Sequence, residues 1–113
     1  MNQQQPLLQG NFIHQVYFWL ADPENHQNRE SLREGLKKLS SIPHLLHFHI
    51  GTTATTRRDV IDSSYTFSWL AIFRTAEDQD IYQEHPIHLE FVANCSHLWK
   101  KVVVYDSLDA TSL

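Results

Sequence analysis

With 113 residues, 42% of them apolar, only 3 glycines and a formal charge of −4, the chain is sized and composed for one globular domain rather than a disordered or fibrous one. The acidic balance, with Arg57-Arg58 as its densest basic cluster, excludes the basic stripe that nucleic-acid binding requires. A lone Cys95 excludes an internal disulfide, no apolar run is long enough to span a membrane, and the start from Met1 to Pro6 has neither a basic nor an apolar signal region, so a reducing cytoplasm is the expected compartment.

Residues 1–11 are polar and Gln-rich and are expected to form a mobile arm. Strand one, Phe12 to Leu20, sets Phe12, His14, Val16, Phe18 and Leu20 against Ile13, Gln15, Tyr17 and Trp19, so both faces are largely apolar. After a turn at Asp22-Pro23, a helix capped by Asn28 carries the stripe Leu32, Leu36, Leu39 and Ile42 and is stopped by Pro43. Strand two, Leu45 to Thr52, places Leu46, Phe48 and Ile50 opposite Leu45, His47 and His49, in an edge pattern. The polar stretch 52–64 reads as a loop, and Tyr65 to Phe73 as strand three with bulky groups on both sides. A short acidic helix spans Ala76 to Gln83. A longer one, from Pro86 to about Lys100, is expected to bury Leu89, Val92, Ser96 and Trp99. Strand four is Val102 to Tyr105, the domain ends at Asp106, and residues 107–113 read as a disordered tail.

This order, β-α-β-β-α-β, is an α+β, ferredoxin-like arrangement: a four-stranded antiparallel sheet with strands one and three in the centre. Right-handed crossovers put the helices on one face and leave the other bare. A bare face carrying either Tyr17 and Trp19 or the residues opposite them on strand one is a strong drive to pair, and a homodimer packed sheet on sheet closes it.

The chemistry-bearing stretch is Tyr82-Gln-Glu-His-Pro-Ile-His88. Pro86 suits the first position of a helix and pushes His85 into an extended conformation. Tyr82 then ends one helix while His88 sits in the first turn of the next, where a phenol and an imidazole can polarise a carbonyl and take up a proton. The same residues read equally as a half-buried phenol and surface caps. His47 and His49, two apart on a strand, offer two zinc ligands without a third in the local sequence.

Taken together, His14 in strand one, the Ile42-Pro43 stop leading to Phe48 and Gly51, Tyr65, His85-Pro86-Ile87-His88 and the closing Val102-Val103-Val104-Tyr105-Asp106 resemble the stress-responsive A/B barrel (Dabb) family of the dimeric α/β-barrel superfamily. The resemblance covers residues 12–106. It implies ferredoxin-like protomers dimerising through their sheets into a barrel, most of them without assigned chemistry. Plant polyketide cyclases of the family close rings by intramolecular aldol condensation without a redox cofactor. The resemblance to them implies His88 as general base, Tyr82 as donor to the carbonyl and His14 as a substrate-orienting group. Phe67 replaces a strand-three histidine, and Phe67 and His85 are expected to shape the pocket. It also implies a structural magnesium or sodium ion on the backbone carbonyls of Leu39, Ile42 and Leu45. Three functions follow as expectations: a dimeric small-molecule-binding protein, a cofactor-free cyclase or lyase using Tyr82 and His88, and, by superfamily analogy, a monooxygenase-like barrel.

Overall fold

The computed structural model describes residues 9–111. The expected arm lies outside the described residues up to position 8. Its last part is tied down, because the Gly10 backbone N–H donates to the Asp109 carboxylate at 2.8 Å with Gly10 at φ +71°.

Strand β1 (Phe12–Leu20) alternates as its sequence predicts, with His14, Val16, Phe18 and Leu20 buried and Ile13, Gln15, Tyr17 and Trp19 half-buried on the other face. Helix α1 (His26–Leu39) begins earlier than expected. Its N-cap is Asn25, whose side chain accepts from the backbone N–H of Asn28 at 3.0 Å, so Asn28 is the capped donor and not the cap. Leu32, Leu36 and Leu39 are fully buried, and Lys37 and Lys38 in the last turn complement the negative end of the helix. A Cβ at Gly35 would lie 2.7 Å from Cys95 Sγ, so the missing side chain is what lets α1 approach the third helix.

Strand β2 (Leu45–Gly51) pairs only with β3 (Phe67–Phe73) and forms one sheet edge. A register shift between Leu45 and His47 overturns the expected alternation. Leu45 opposite Phe73, Phe48 opposite Ala71 and Ile50 opposite Trp69 share the helix-side face, and Leu46 is the extra residue of the bulge. The connection between β2 and β3 extends to Thr66, whose backbone N–H donates to Phe18 O at 2.7 Å and whose hydroxyl accepts from Leu20 N at 3.1 Å.

Helix α2 (Ala76–Glu84) is capped by Thr75 and carries Glu77 and Asp78 in its first turn. His85, at φ −64° and ψ 140°, ends α2 and caps α3 (Pro86–Cys95), as expected of a residue before proline. Helix α3 is shorter than its pattern suggests, giving way to a 3-10 turn at Ser96–Leu98, and β4 runs from Trp99 to Leu108. Trp99 is therefore a strand residue paired with Leu20, and Ala21 N–H donates to Leu98 O at 2.9 Å to fix the turn. Ser107 and Leu108, expected in the tail, extend the ladder opposite Ile13 and Phe12. The buried positions are Phe91, Cys95 and Leu98, whereas Leu89, Val92 and Ser96 are exposed.

The sheet order is β2-β3-β1-β4, antiparallel throughout, with the two most apolar strands inside. Val16, Phe18 and Leu20 of β1, Trp69 and Phe73 of β3, the α1 leucines, Tyr82 and Phe91 form one core between sheet and helices. This is the ferredoxin-like fold.

Candidate active site

Between the helices and the β1/β4 side of the sheet lies a cavity of about 180 Å3. Its polar wall is His14 from β1, Tyr82 from α2 and His88 from the first turn of α3. Gln83 and apolar side chains close the rest. The exposed Val92, Val102 and Val104 border the cavity at the uncovered edge strand β4, which makes that edge its mouth. The break at His85-Pro86 is what aims Tyr82 and His88 inward from two helices, with ring centres 4.8 Å apart and edge to face.

Tyr82 is buried, and its oxygen accepts from the indole N–H of Trp69 at 3.1 Å. Burial raises its pKa far above the ordinary phenol value, opposed in part by that hydrogen bond, so Tyr82 stays protonated across the physiological range. His88 is half-buried, and its Nδ1 atom is buried with no hydrogen-bond partner. Burial first, then repulsion from His14, lowers its pKa; the backbone of Gln83 opposes both. A neutral ring at neutral pH follows, which is the form of a proton acceptor. His14, opposite Asp106 in the β1–β4 register, is held by the contact of its Nδ1 with Asp106 Oδ1 at 2.6 Å, and its ring centre stands 5.7 Å from that of Tyr82. A fixed imidazole, a neutral phenol and a neutral imidazole thus face one space, a set suited to shuttling a proton at a carbonyl.

The structure brings His14, Tyr82 and His88 together, with Tyr82 buried and His88 half-buried, its Nδ1 out of contact with solvent. It does not bring Phe67 or His85 to them. Phe67 sits two residues further back on β3, opposite Phe18, with the guanidinium carbons of Arg29 and Arg33 at 5.1 and 5.8 Å from its ring centre. It shapes a different groove beside α1. His85 is turned back as a cap, its Nδ1 accepting from the backbone N–H of Ile87 at 3.1 Å. Trp69 lines the cavity in place of Phe67. Neither it nor the role of Asp106 was apparent from sequence, although both follow once β1 is paired with its neighbours: Val16 stands opposite Trp69, and His14 opposite Asp106.

Among the described residues no three His, Cys, Asp or Glu side chains gather as a metal site, and His47 and His49 face away from the helices opposite Ile72 and Leu70. The carbonyls of Leu39 and Ile42 already accept from Ile42 N–H and Leu45 N–H, each at 3.3 Å. Each of these two carbonyls keeps a second lone pair, but three neutral oxygens with no carboxylate beside them make a weak set for a hard cation, and no step is assigned to one. A wider groove of about 310 Å3 lies on the open sheet face, lined by Tyr17, Trp19, Tyr65, Tyr105 and Asp62. It holds no imidazole and is remote from the triad in the fold.

The model of the stress responsive A/B barrel domain matches residues 12–109, nearly the whole chain. The chain belongs to the stress-responsive A/B barrel (Dabb) family. No curated protein sequence matches this Dabb chain. Among solved structures it is similar to a Dabb family protein from Mesorhizobium loti, with 23% identity over 89% of this chain and 98% of that one and a TM-score of 0.74. It is also similar to a dimeric ferredoxin-like protein of unknown function from Thermobifida fusca (19% identity, 96% and 100% covered, TM-score 0.74). A third, the hydroxynitrile lyase of Passiflora edulis, shares 18% identity over 92% of this chain and 97% of that one, with a TM-score of 0.75. At these identities the likeness is one of fold.

Proposed function

We propose that this Dabb protein is a cofactor-independent acid–base catalyst of the lyase or cyclase type, acting on a small carbonyl compound. One observation carries the reading: the cavity holds two unspent polar functions side by side, the phenol proton of Tyr82, for which no protein acceptor is present among the described residues, and the buried, unpartnered Nδ1 of His88. Buried polar groups left without partners are costly in a purely structural role. In the forward direction His88 takes the proton next to the carbonyl, and Tyr82 hydrogen-bonds the oxygen as it becomes an enolate. That carbanion equivalent then attacks a second carbonyl, and the new alkoxide receives the proton. Cleavage of a hydroxynitrile uses the same groups: the hydroxyl proton goes to a base, the carbon–carbon bond breaks, and the released cyanide takes the proton. The Passiflora neighbour, a hydroxynitrile lyase, supports the second arm as a precedent on the same fold. The cavity of about 180 Å3 lies below the roughly 300–1,000 Å3 of pockets for drug-sized ligands, which favours a substrate of one ring or a short chain.

Two assays test this: deuterium exchange from solvent into the methyl group of acetophenone, and release of benzaldehyde from mandelonitrile. At least one is expected to exceed buffer, with His88→Ala and Tyr82→Phe each reducing it by about 100-fold or more. Neither exceeding buffer contradicts catalysis; binding of acetophenone without turnover transfers the assignment to a non-catalytic small-molecule-binding protein.

We also infer a homodimer that covers the open sheet face. Tyr17, Trp19, Leu70, Val103 and Tyr105 present apolar and aromatic surface there, and the Thermobifida fusca neighbour is described as dimeric. Sedimentation at micromolar concentration is expected to give twice the chain mass, and Tyr17→Lys to give the single mass; a monomeric wild type opposes the inference.

A further inference from the structure

We infer that Trp69 is the positioning residue of this site: its indole N–H, seated on the Tyr82 oxygen, turns the phenol proton into the cavity. The inference rests on the acid–base reading above. Trp69 lies on the central strand β3, 1% exposed, between Val16 and Ile50 in register, and its ring stacks on Phe48 at 5.9 Å with an interplanar angle of 24°. Its indole therefore has little freedom, and its N–H meets Tyr82 Oη at 3.1 Å. Conjugation keeps a phenol proton in the ring plane, in one of two positions on opposite sides of the oxygen. A donor occupying one side leaves the proton on the other. Since no protein group accepts it there among the described residues, only a guest in the cavity can. The same hydrogen bond polarises the O–H and strengthens the phenol as a donor to the oxygen on which charge grows. Tyr82 touches the reacting oxygen; Trp69 acts through it.

Trp69→Phe removes the donor together with part of the indole ring and keeps an aromatic wall to the cavity. The probe is acetophenone labelled with 13C at the carbonyl, bound to wild type, Trp69→Phe and Tyr82→Phe. Wild type is expected to move the carbonyl resonance downfield, Tyr82→Phe to abolish that shift, and Trp69→Phe to reduce it by about half while the Kd changes by less than about threefold. In any reaction the protein catalyses, kcat of Trp69→Phe falls about fivefold to tenfold with KM nearly unchanged, as for one neutral hydrogen bond. A wild-type carbonyl shift in Trp69→Phe overturns the inference. If wild type itself shows no shift, the acid–base reading fails, and a ligand-free measurement still decides on Trp69. In 15N spectra its indole N–H is expected to shift and to exchange faster with solvent in Tyr82→Phe than in wild type. An unchanged indole resonance overturns the inference, whether or not Trp69→Phe folds.

Discussion

Replacing Tyr82 by Phe removes a single oxygen, yet stability should fall. The phenol oxygen is the acceptor for Trp69 Nε1, at 3.1 Å, and both residues are 1% exposed, so Tyr82→Phe strands a buried donor. A stranded buried donor costs about 1–3 kcal/mol, which outweighs the small gain from burying a less polar ring. For a domain of this size each kcal/mol lowers Tm by about 4–8 °C, so the variant should melt at least about 4 °C below wild type. Urea unfolding followed by circular dichroism reads the loss as a lower midpoint with an unchanged slope, at fixed protein concentration in case of association. In Trp69→Phe the donor is absent, and adding Tyr82→Phe there should cost little. The cycle therefore predicts a coupling of about 1 kcal/mol or more. A Tyr82→Phe loss below about 0.3 kcal/mol, or additive variants, would refute the buried indole–phenol contact on which the site geometry depends.

Asp106→Ala should cost about 1 kcal/mol, below the roughly 1.5–3 kcal/mol of a hydrogen bond to a charged group because the Asp106 side chain is 43% exposed; Asp106→Asn, which keeps an acceptor for His14, should recover most of it in the same urea assay. Because the folded pKa of His88 lies below its ordinary 6.5, the unfolded chain takes up that proton first. The His88 contribution is thus fully favourable above pH 6.5, falls as pH drops from there to the folded pKa, and is flat below it. His88→Leu should remove that segment of the stability–pH curve, and an identical curve in the variant contradicts the burial of the ring. Gly35→Ala should destabilise by about 1 kcal/mol despite its better helix propensity, because the new methyl meets Cys95 Sγ at 2.7 Å; combined with Cys95→Ala the cost should be less than additive.

Period and punctuation carried most of the fold. The two-residue alternation of β1 and β3, the Leu32-Leu36-Leu39 stripe and the prolines at 43 and 86 are local signals, and each marks a local boundary. The misplaced boundary at Trp99 is where local and tertiary preference diverge: Leu98-Trp99 continues an apolar helical pattern, but the ladder to β1 begins at Leu20 opposite Trp99 and ends the helix sooner. The bulge at Leu46 has no turn residue to announce it and reverses the side on which Leu45 lies. For the site, Tyr82 and His88 were legible because one proline fixes their mutual direction. His14 was legible only by resemblance. The Trp69–Tyr82 and His14–Asp106 contacts join residues 13 and 92 positions apart, and spacing along the chain holds no record of either. Phe67 was misassigned because residues two apart on a strand share a face, and which of them meets the cavity depends on where the helices sit.

A crystal structure of the protein with a ketone no larger than acetophenone puts the central claim to its most direct test. The carbonyl oxygen is expected within about 3 Å of Tyr82 Oη, with His88 Nδ1 facing the adjacent carbon. A ketone seated instead in the open-face groove beside Tyr17 and Trp19, or a cavity holding only water at saturating ketone, would contradict it.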